Sequence, residues 1–329
     1  MKIYRGFQDK NLRRRSRAVA IGIFDGVHLG HQLILKKMLA AAKKKYASPM
    51  VVTFDPHPQK VLSPKHLNPK ILMSLDHRLR FFSAMGVRET LVVPFNKKIA
   101  RISHEDFLNE LLLKQLGMKS LSVGEDFRFG RQAKGGREYL AEQSKKTGFD
   151  LFLSPALSFH GRPISSTRIR RLIEVGDLKQ ASKMLGRPVS VSGTVVRGRG
   201  RGRSTGFPTA NLNPHHETLP PPGVYAAVGT LGKRLLKGMV HIGQRPTFKD
   251  TEKSLEVHFL NFHRNIYGRE IELIFLGKLR PIRSFPSGQA LARQIQKDIR
   301  KAKILVFTRA HIFRASMGRL PYSKKRRST

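Results

Sequence analysis

Two histidines, His28 and His31, are three residues apart at a predicted strand-to-helix junction. The apolar run at 18–23 predicts a buried strand, and the run at 32–42 has the periodicity of a helix. Imidazoles at this spacing can face the same way. A helix start offers free backbone N–H groups and a positive dipole end, which favour phosphate. These residues predict a phosphate site with two imidazoles. A structural pair or half of a metal site is the alternative, although a metal needs further ligands.

A second polar group lies at Ser165, Ser166, Thr167 and Arg168, before another helical pattern. Either serine can cap that helix, and the exposed N–H groups of its first turn can bind phosphate. The guanidinium of Arg168 suits the β- and γ-phosphates of a nucleotide. The alternative is a capped surface helix with a solvated arginine.

The C-terminal half carries oxygen ligands instead of histidines. Thr209 and Asn211 are two residues apart in an extended segment, so their side-chain oxygens share a face. Together with ATP phosphates they make an oxygen shell that suits Mg²⁺. Glu256, in an alternating strand, can accept a proton from a substrate hydroxyl, or it is simply an exposed strand residue. No Walker-type phosphate loop occurs, and the basic glycine-rich stretch 197–203 can cover phosphates or contact nucleic acid.

The elements around these residues alternate between strand and helix in the first half of the chain. This order predicts a parallel sheet with helices on both faces, with ligands at the carboxyl ends of the strands. The predicted strands are 19–23, 50–54, 89–94, 120–123 and 150–153, and the predicted helices are 33–45, 75–85, 104–116 and 136–147.

After a helical region at 167–185, which Gly186, Arg187 and Pro188 end, the pattern changes to alternating, β-branched segments. These predict a compact antiparallel barrel followed by an amphipathic helix at 289–303. The predicted barrel strands are 189–196, 223–231, 236–242, 255–262 and 270–279. The chain therefore divides into residues 1–185, residues 186–306 and a basic extension at 307–329.

Charge is the unusual feature of the composition. The 329 residues include 63 Lys and Arg against 22 Asp and Glu, a net charge of +41, and the excess is spread over both halves. Such a field attracts polyanions. We expect it to be background charge with nucleotides as the ligands. The chain has no cysteine, no signal-like N-terminus and no apolar run of membrane-spanning length. We therefore expect a cytoplasmic protein that is not bound to a membrane.

Residues 22–31, G-I-F-D-G-V-H-L-G-H, resemble the HxGH signature of the nucleotidyltransferase superfamily. The form is that of the prokaryotic bifunctional riboflavin kinase/FMN adenylyltransferases, the FAD synthetases. The resemblance extends over about residues 15–305, in family order, and the other matching segments are 53–58, 124–130, 164–170, 185–188 and 206–211. It implies a Rossmann-like nucleotidyltransferase domain and a barrel riboflavin kinase domain with a terminal helix.

The resemblance also implies roles for individual residues. It implies that His28, His31, Arg168 and Glu256 are catalytic. It also implies that Thr209 and Asn211 bind Mg²⁺. The residues implied to contact ATP or flavin are Gly22, Phe24, Asp25, Gly30, His57, Asp126, Ser165, Ser166, Thr167, Gly193, Arg199, Gly206 and Pro208. Without the resemblance, the neighbouring sequence indicates that His57 lines a pocket or is a structural histidine, and that Asp126 is only part of a turn-rich loop.

Two departures from the family concern the kinase half. The glycine-rich stretch 197–203 has arginines and no aspartate, and His263, Arg264 and Asn265 stand in a segment that is acidic in the family. We expect phosphorylation of riboflavin to FMN with ATP and Mg²⁺, followed by adenylyl transfer to give FAD and pyrophosphate. The partners are then riboflavin, FMN, FAD and ATP, without a specific nucleic acid. The rivals are a basic nucleic-acid-binding protein on a degenerate enzyme scaffold and an enzyme with one decayed half.

Overall fold

The computed structural model describes residues 1–64, 67–198, 206–232, 234–244 and 253–308. Its contacts divide the chain into two units. The N-terminal unit comprises Met1–Ile71 and Leu75–Ser166, and the barrel unit comprises Leu72–Ser74 and the described part of Thr167–Thr329. Arg199, the rest of the basic stretch to 205 and the extension from 309 onward lie outside the described residues.

A six-stranded parallel sheet forms the centre of the N-terminal unit, in the order β1-β4-β3-β2-β5-β6. The strands are β1 Lys2–Arg5, β2 Arg17–Ile21, β3 Ser48–Asp55, β4 Glu89–Pro94, β5 Met118–Gly124 and β6 Asp150–Ser154. Strand β2 is buried along its whole length, as expected for a central parallel strand covered on both faces. The order reverses between β3 and β5, on either side of β2, so the loops after β2 and β5 flank a ligand-binding crevice typical of such sheets.

Helices connect these strands. They are α1 Leu29–Lys44, α2 Pro58–Leu62, α3 Leu75–Met85, α4 Lys97–Ala100, α5 His104–Asp106, which continues as a π-helix over Phe107–Gln115, and α6 Arg137–Thr147. A short 3₁₀ turn covers Arg131–Ala133, and the two-residue strands β7 Ser158–Phe159 and β8 Arg162–Pro163 pair with each other. The predicted parallel sheet is thus confirmed. Helix α1 begins four residues before the predicted start, because the histidine pair itself lies at its first turn.

Two helices, α7 Ser166–Val175 and α8 Leu178–Leu185, replace the predicted continuous helical region. They are separate because Gly176, with a φ of 88°, takes a left-handed conformation that ends α7. Gly186 ends α8 in the same way, with a φ of 69°.

The barrel unit contains a closed six-stranded antiparallel barrel in the order β10-β13-β12-β11-β14-β9, which confirms the predicted architecture. Its strands are β9 Ser190–Val196, β10 Ala210–Pro214, β11 Gly223–Leu231, β12 Arg234–Gln244, β13 Lys253–Phe259 and β14 Glu270–Arg280. Helix α9, Gly288–Thr308, follows and buries Asp298, Ala302 and Val306 on one face.

Candidate active sites

The histidine pair lies at the start of α1. His28 is the last residue before the helix, and its Nδ1 accepts a hydrogen bond from the His31 backbone N–H at 3.4 Å. The two imidazoles stack, with centroids 3.6 Å apart and planes 19° from parallel. His28 is buried and His31 half-buried. The predicted shared orientation of the rings is therefore present, beside a helix end that attracts anions.

The loop between β2 and α1 has an unusual backbone. Phe24, Gly26 and Val27 have φ values of 55°, 80° and 37°. Left-handed conformations are costly for a phenylalanine and a β-branched valine, so surrounding contacts must hold this loop in place. A Cβ atom at Gly30 would lie 3.2 Å from the His28 ring, and one at Gly22 would lie 3.1 Å from the Phe24 ring. Both glycines allow the loop to fold tightly around the histidines.

Side-chain contacts hold three successive residues of this loop, Ile23, Phe24 and Asp25. The Ile23 carbonyl accepts hydrogen bonds from Arg78 Nη1 at 2.6 Å and from Thr53 Oγ1 at 3.1 Å. The Phe24 ring meets the edge or face of the His31 and Phe82 rings at 5.4 and 5.6 Å. The Asp25 carbonyl accepts a hydrogen bond from Ser166 Oγ at 2.9 Å. Sequence analysis did not identify Arg78, because no local pattern marks a contact across 55 residues.

The other predicted residues of the N-terminal half lie in different surroundings. His57 follows the end of β3, and its Nδ1 accepts a hydrogen bond from the Gln59 backbone N–H at 3.2 Å. Asp126 is exposed in the loop after β5, at the same sheet edge as the histidines. Thr167 is exposed and Arg168 half-buried in the first turn of α7, both within the barrel unit, and Ser165 immediately precedes that helix.

Strand pairing brings the predicted kinase residues together in the barrel unit. Asn211 of β10 lies directly opposite Glu256 of β13. Thr209, just before β10, donates a hydrogen bond from its hydroxyl to Glu256 Oε2 at 3.4 Å. All three residues are half-buried. A hydroxyl, an amide oxygen and a carboxylate at one place form a donor set that fits Mg²⁺, which prefers oxygen ligands.

Backbone features surround this cluster. A Cβ atom at Gly193 of β9 would clash with the Asn213 carbonyl oxygen and lie 2.8 Å from Leu212 Cγ, so only glycine fits there. Gly206 has a φ of 79° and is exposed. The Pro208 carbonyl accepts a hydrogen bond from the His258 ring nitrogen Nδ1 at 2.9 Å. These contacts fix the chain on both sides of Thr209.

His241 of β12 is a residue that the sequence did not indicate. It lies directly opposite Glu256 on the neighbouring strand, so the row across β10, β13 and β12 reads Asn211, Glu256, His241. Burial lowers the pKa of His241, while the Glu256 carboxylate opposes the shift and Arg280 adds to it. His241 also lines a cavity of about 430 Å³. The other residues lining this cavity are Arg280, Ile282, Arg283, Ser284, Phe285, Ser287, Gly288 and Leu291.

Comparisons with known proteins match the two halves of the chain to two families. The family model for FAD synthetase matches residues 10–168, and the model for riboflavin kinase matches residues 185–306. The bifunctional riboflavin kinase/FMN adenylyltransferase of Escherichia coli (strain K12) is 36% identical over 300 residues, which cover 91% of this chain and 96% of that protein. The protein of the same name from Haemophilus influenzae is 34% identical over 304 residues, covering 92% and 98%.

A crystal structure described as a macrolide-efflux protein from Streptococcus pneumoniae is also similar. Its TM-score is 0.81 at 29% identity, over 92% of this chain and 99% of that one. In the described ranges of the present chain, no helix has the length and apolar character needed to cross a membrane.

The fold and the matched models define a two-part flavin enzyme scaffold, with a nucleotidyltransferase-like sheet followed by a kinase barrel. The chain belongs to the bifunctional riboflavin kinase/FMN adenylyltransferase family.

Proposed function

We propose that this chain phosphorylates riboflavin to FMN with ATP and then transfers AMP from a second ATP to FMN, giving FAD and pyrophosphate. The observation that carries the proposal is the presence of both site clusters in one chain: the stacked pair His28 and His31, and the group Thr209, Asn211 and Glu256. A protein with one decayed half would not need to keep both.

For adenylyl transfer, a phosphate oxygen of FMN attacks the α-phosphorus of ATP, and pyrophosphate leaves. The attacking oxygen is already anionic, so the step needs no general base. We propose that His28 and His31 donate hydrogen bonds to the ATP phosphates, with His31 contacting the group in transfer. Ser165 and Ser166 would add hydrogen-bond donors to the same unit, and the family resemblance gives Thr167 a nucleotide contact and Arg168 a catalytic role.

For the kinase reaction, we propose that Glu256 accepts the proton of the terminal ribityl hydroxyl while that oxygen attacks the γ-phosphorus of ATP and ADP leaves. Thr209 and Asn211 would hold Mg²⁺, which neutralises phosphate charge when it is bound. The hydrogen bond from Thr209 to Glu256 also keeps the carboxylate beside these ligands. Gly193, Gly206 and Pro208 would line the nucleotide or flavin site.

We propose that the flavin ring occupies the cavity beside His241. Its lining combines Phe285 and Leu291 with Arg280 and Arg283, which suits a flat aromatic ring with polar edges. His241 lines this cavity and lies directly opposite Glu256 on the neighbouring strand. A ribityl chain that extends from the ring would therefore point toward the Glu256 carboxylate.

We further propose that adenylyl transfer belongs to residues 1–185 and phosphorylation to residues 186–306, with 307–329 as an extension. The FAD synthetase model ends at residue 168 and the N-terminal unit at Ser166, so most of α7 and all of α8 lie between these ends and the proposed boundary at 185. The riboflavin kinase model begins at 185. We place the enzyme in the cytoplasm, where ATP is available, with Gly22, Phe24, Asp25, Gly30, His57 and Asp126 as further contacts to nucleotide or flavin.

The test is a product assay on the purified full chain with riboflavin, ATP and Mg²⁺, separated by chromatography. FMN should appear first and FAD later, and a chelator should abolish FMN formation. A labelled oligonucleotide should bind weakly and be released steeply as salt increases, because its attraction to a charge of +41 is screened. Absence of both flavin products, together with tight oligonucleotide binding at ~150 mM salt, would contradict the proposal.

A further inference from the structure

Arg78, near the start of α3, is a buried arginine whose guanidinium faces the carboxyl ends of the sheet strands. It is 5% exposed. Burial lowers its pKa, and the carboxylates of Asp25 and Asp55 oppose that shift. An arginine keeps its charge even so, because its ordinary pKa lies far above neutral pH. A charged group kept out of water this way needs specific partners.

The partners of Arg78 are all at the histidine-bearing edge of the sheet. Nη1 donates to the Ile23 carbonyl at 2.6 Å and to Thr53 Oγ1 at 3.0 Å. Nη2 donates to the Phe54 carbonyl at 3.4 Å and lies 3.6 Å from Asp55 Oδ1. One side chain thus connects the loop after β2 to the end of β3.

The same helix supplies a second contact to the loop, one turn further on. Phe82 packs against the Phe24 ring, and Phe24 in turn packs against His31. Helix α3 therefore contacts Ile23 by hydrogen bonding and Phe24 by ring packing. Ile23 directly precedes the strained residue Phe24, and Phe24 is followed by the strained residue Val27 three positions later. The loop conformation, and with it the placement of His28 and His31, depends on contacts from α3.

We propose that Arg78 is a positioning residue for adenylyl transfer, which it serves by holding the Ile23 carbonyl and so fixing the loop that carries the histidines. The inference rests on the proposed function of the N-terminal unit. At 5% exposure Arg78 has almost no surface to offer a nucleotide, so it acts through the loop. A displacement of about 1 Å in a catalytic group can cost ~10²-fold in rate.

The first test compares Arg78→Met, Arg78→Lys and Thr53→Val in the full chain, with FMN supplied as substrate. Arg78→Met should lower kcat for FAD formation ~10²-fold while KM for ATP and FMN changes little, because binding surfaces remain. Arg78→Lys keeps the charge and one set of donors and should recover part of the loss. Thr53→Val removes a hydroxyl of the same network without changing charge, and should give a smaller loss of kcat.

Two controls separate positioning from general instability. Arg88→Met removes the same charge at an exposed position just after α3 and should leave both activities unchanged. FMN formation by each variant chain should also stay at the wild-type level. Equal loss of both activities, a rise in KM with unchanged kcat, or full activity of Arg78→Met would overturn the inference.

An NMR experiment tests the positioning role of Arg78 without relying on the proposed reaction. The carbon–proton NMR resonances of the His28 and His31 rings should shift in Arg78→Met and Thr53→Val and stay unchanged in Arg88→Met. If the wild-type chain forms no FAD, the proposed function fails, and these resonances still decide whether Arg78 sets the geometry of the histidines. Unchanged resonances in Arg78→Met would refute the positioning role.

Discussion

The two candidate sites are assembled by different means. In the N-terminal unit, His28 and His31 belong to one short segment, and their geometry depends on a strained loop held by Arg78, Phe82 and Ser166. In the barrel, Thr209 and Glu256 are 47 residues apart and meet because β10 pairs with β13. The first site thus depends on loop conformation and the second on strand register. Loop contacts can be weakened gradually, whereas a register is kept or lost as a whole.

The largest effect should come from Glu256→Gln. Replacing the proposed base by an amide should lower kcat for FMN formation by ~10²–10⁴-fold, the range for a general base. FAD formation from supplied FMN should not change, because that activity belongs to the other unit. Steady-state assays with riboflavin and with FMN as separate substrates measure both, and Glu270→Gln, at an exposed barrel position, serves as the control. Wild-type kinase activity in Glu256→Gln would remove the residue from the mechanism.

The second prediction concerns stability of the N-terminal unit alone. Arg17, fully buried, donates from Nε to Glu89 Oε2 at 3.0 Å, and the Tyr4 hydroxyl donates to Glu89 Oε1 at 2.7 Å. Glu89→Ala leaves a buried charge without its carboxylate and should cost about 3–5 kcal/mol of unfolding free energy. Thermal inactivation followed through each activity should show FAD formation lost at lower temperature, with FMN formation unaffected.

The stabilisation that Glu89 contributes through its hydrogen bonds with Arg17 and Tyr4 should decrease in acid. Burial by itself would raise the pKa of Glu89, but hydrogen bonds from Arg17 and Tyr4 outweigh it and hold the pKa below its ordinary value of 4.5. A carboxyl group whose pKa is lower in the folded protein than in the unfolded chain contributes its full stabilisation of the fold above pH 4.5. That stabilisation is lost as the pH falls through the pKa of the folded state. The difference between wild type and Glu89→Ala should therefore shrink in acid. A difference that grows below pH 4.5 would contradict this account.

His31→Ala should come next, with a loss of ~10²-fold or more in FAD formation, the scale of a missing transition-state donor. FMN formation should stay constant. His160→Asn is a suitable control, since His160 is exposed and asparagine tolerates its φ of 51°. Parallel loss of both activities would indicate unfolding or a shared structural role.

The smallest effect should be that of Thr209→Val. It removes one proposed Mg²⁺ ligand and the hydrogen bond to Glu256, a loss of about tenfold in kinase activity at limiting Mg²⁺. Thr209→Ser keeps the hydroxyl and should retain most of the activity. If excess Mg²⁺ does not restore the activity of Thr209→Val, Thr209 acts through Glu256 rather than through the metal. Equal impairment of Thr209→Val and Thr209→Ser would contradict a role for the hydroxyl.

Local patterns explain which parts of this structure the sequence predicts. The bounds of β4, β11 and α3 agree with the predicted segments, because each is a periodic run between clear breaks. Strand β1 was not predicted, and β10 was predicted only as the extended segment around Thr209 and Asn211. Each strand buries a single side chain, Tyr4 or Leu212, and so shows no apolar pattern. Strand β2 begins at Arg17, outside the predicted apolar run, because the arginine is paired with a carboxylate 72 residues away.

The functional residues, too, can be predicted from the sequence only where a local pattern marks them. His28 and His31 are recognisable from spacing because both lie in one turn of chain. Arg78 and His241 are not recognisable, because their importance depends on a helix crossing a strand end and on the register of β12 against β13. Positions set by long-range pairing require the three-dimensional structure.

The most direct test of two separate sites on one chain is complementation between His31→Ala and Glu256→Gln. With riboflavin, ATP and Mg²⁺, the first variant alone should stop at FMN, and the second alone should yield no product. A mixture of the two should form FAD, because FMN released by one chain becomes the substrate of the other. If Glu256→Gln cannot form FAD from supplied FMN, if His31→Ala cannot form FMN from riboflavin, or if both variants alone still make FAD from riboflavin, the assignment of the two reactions to these two clusters is wrong.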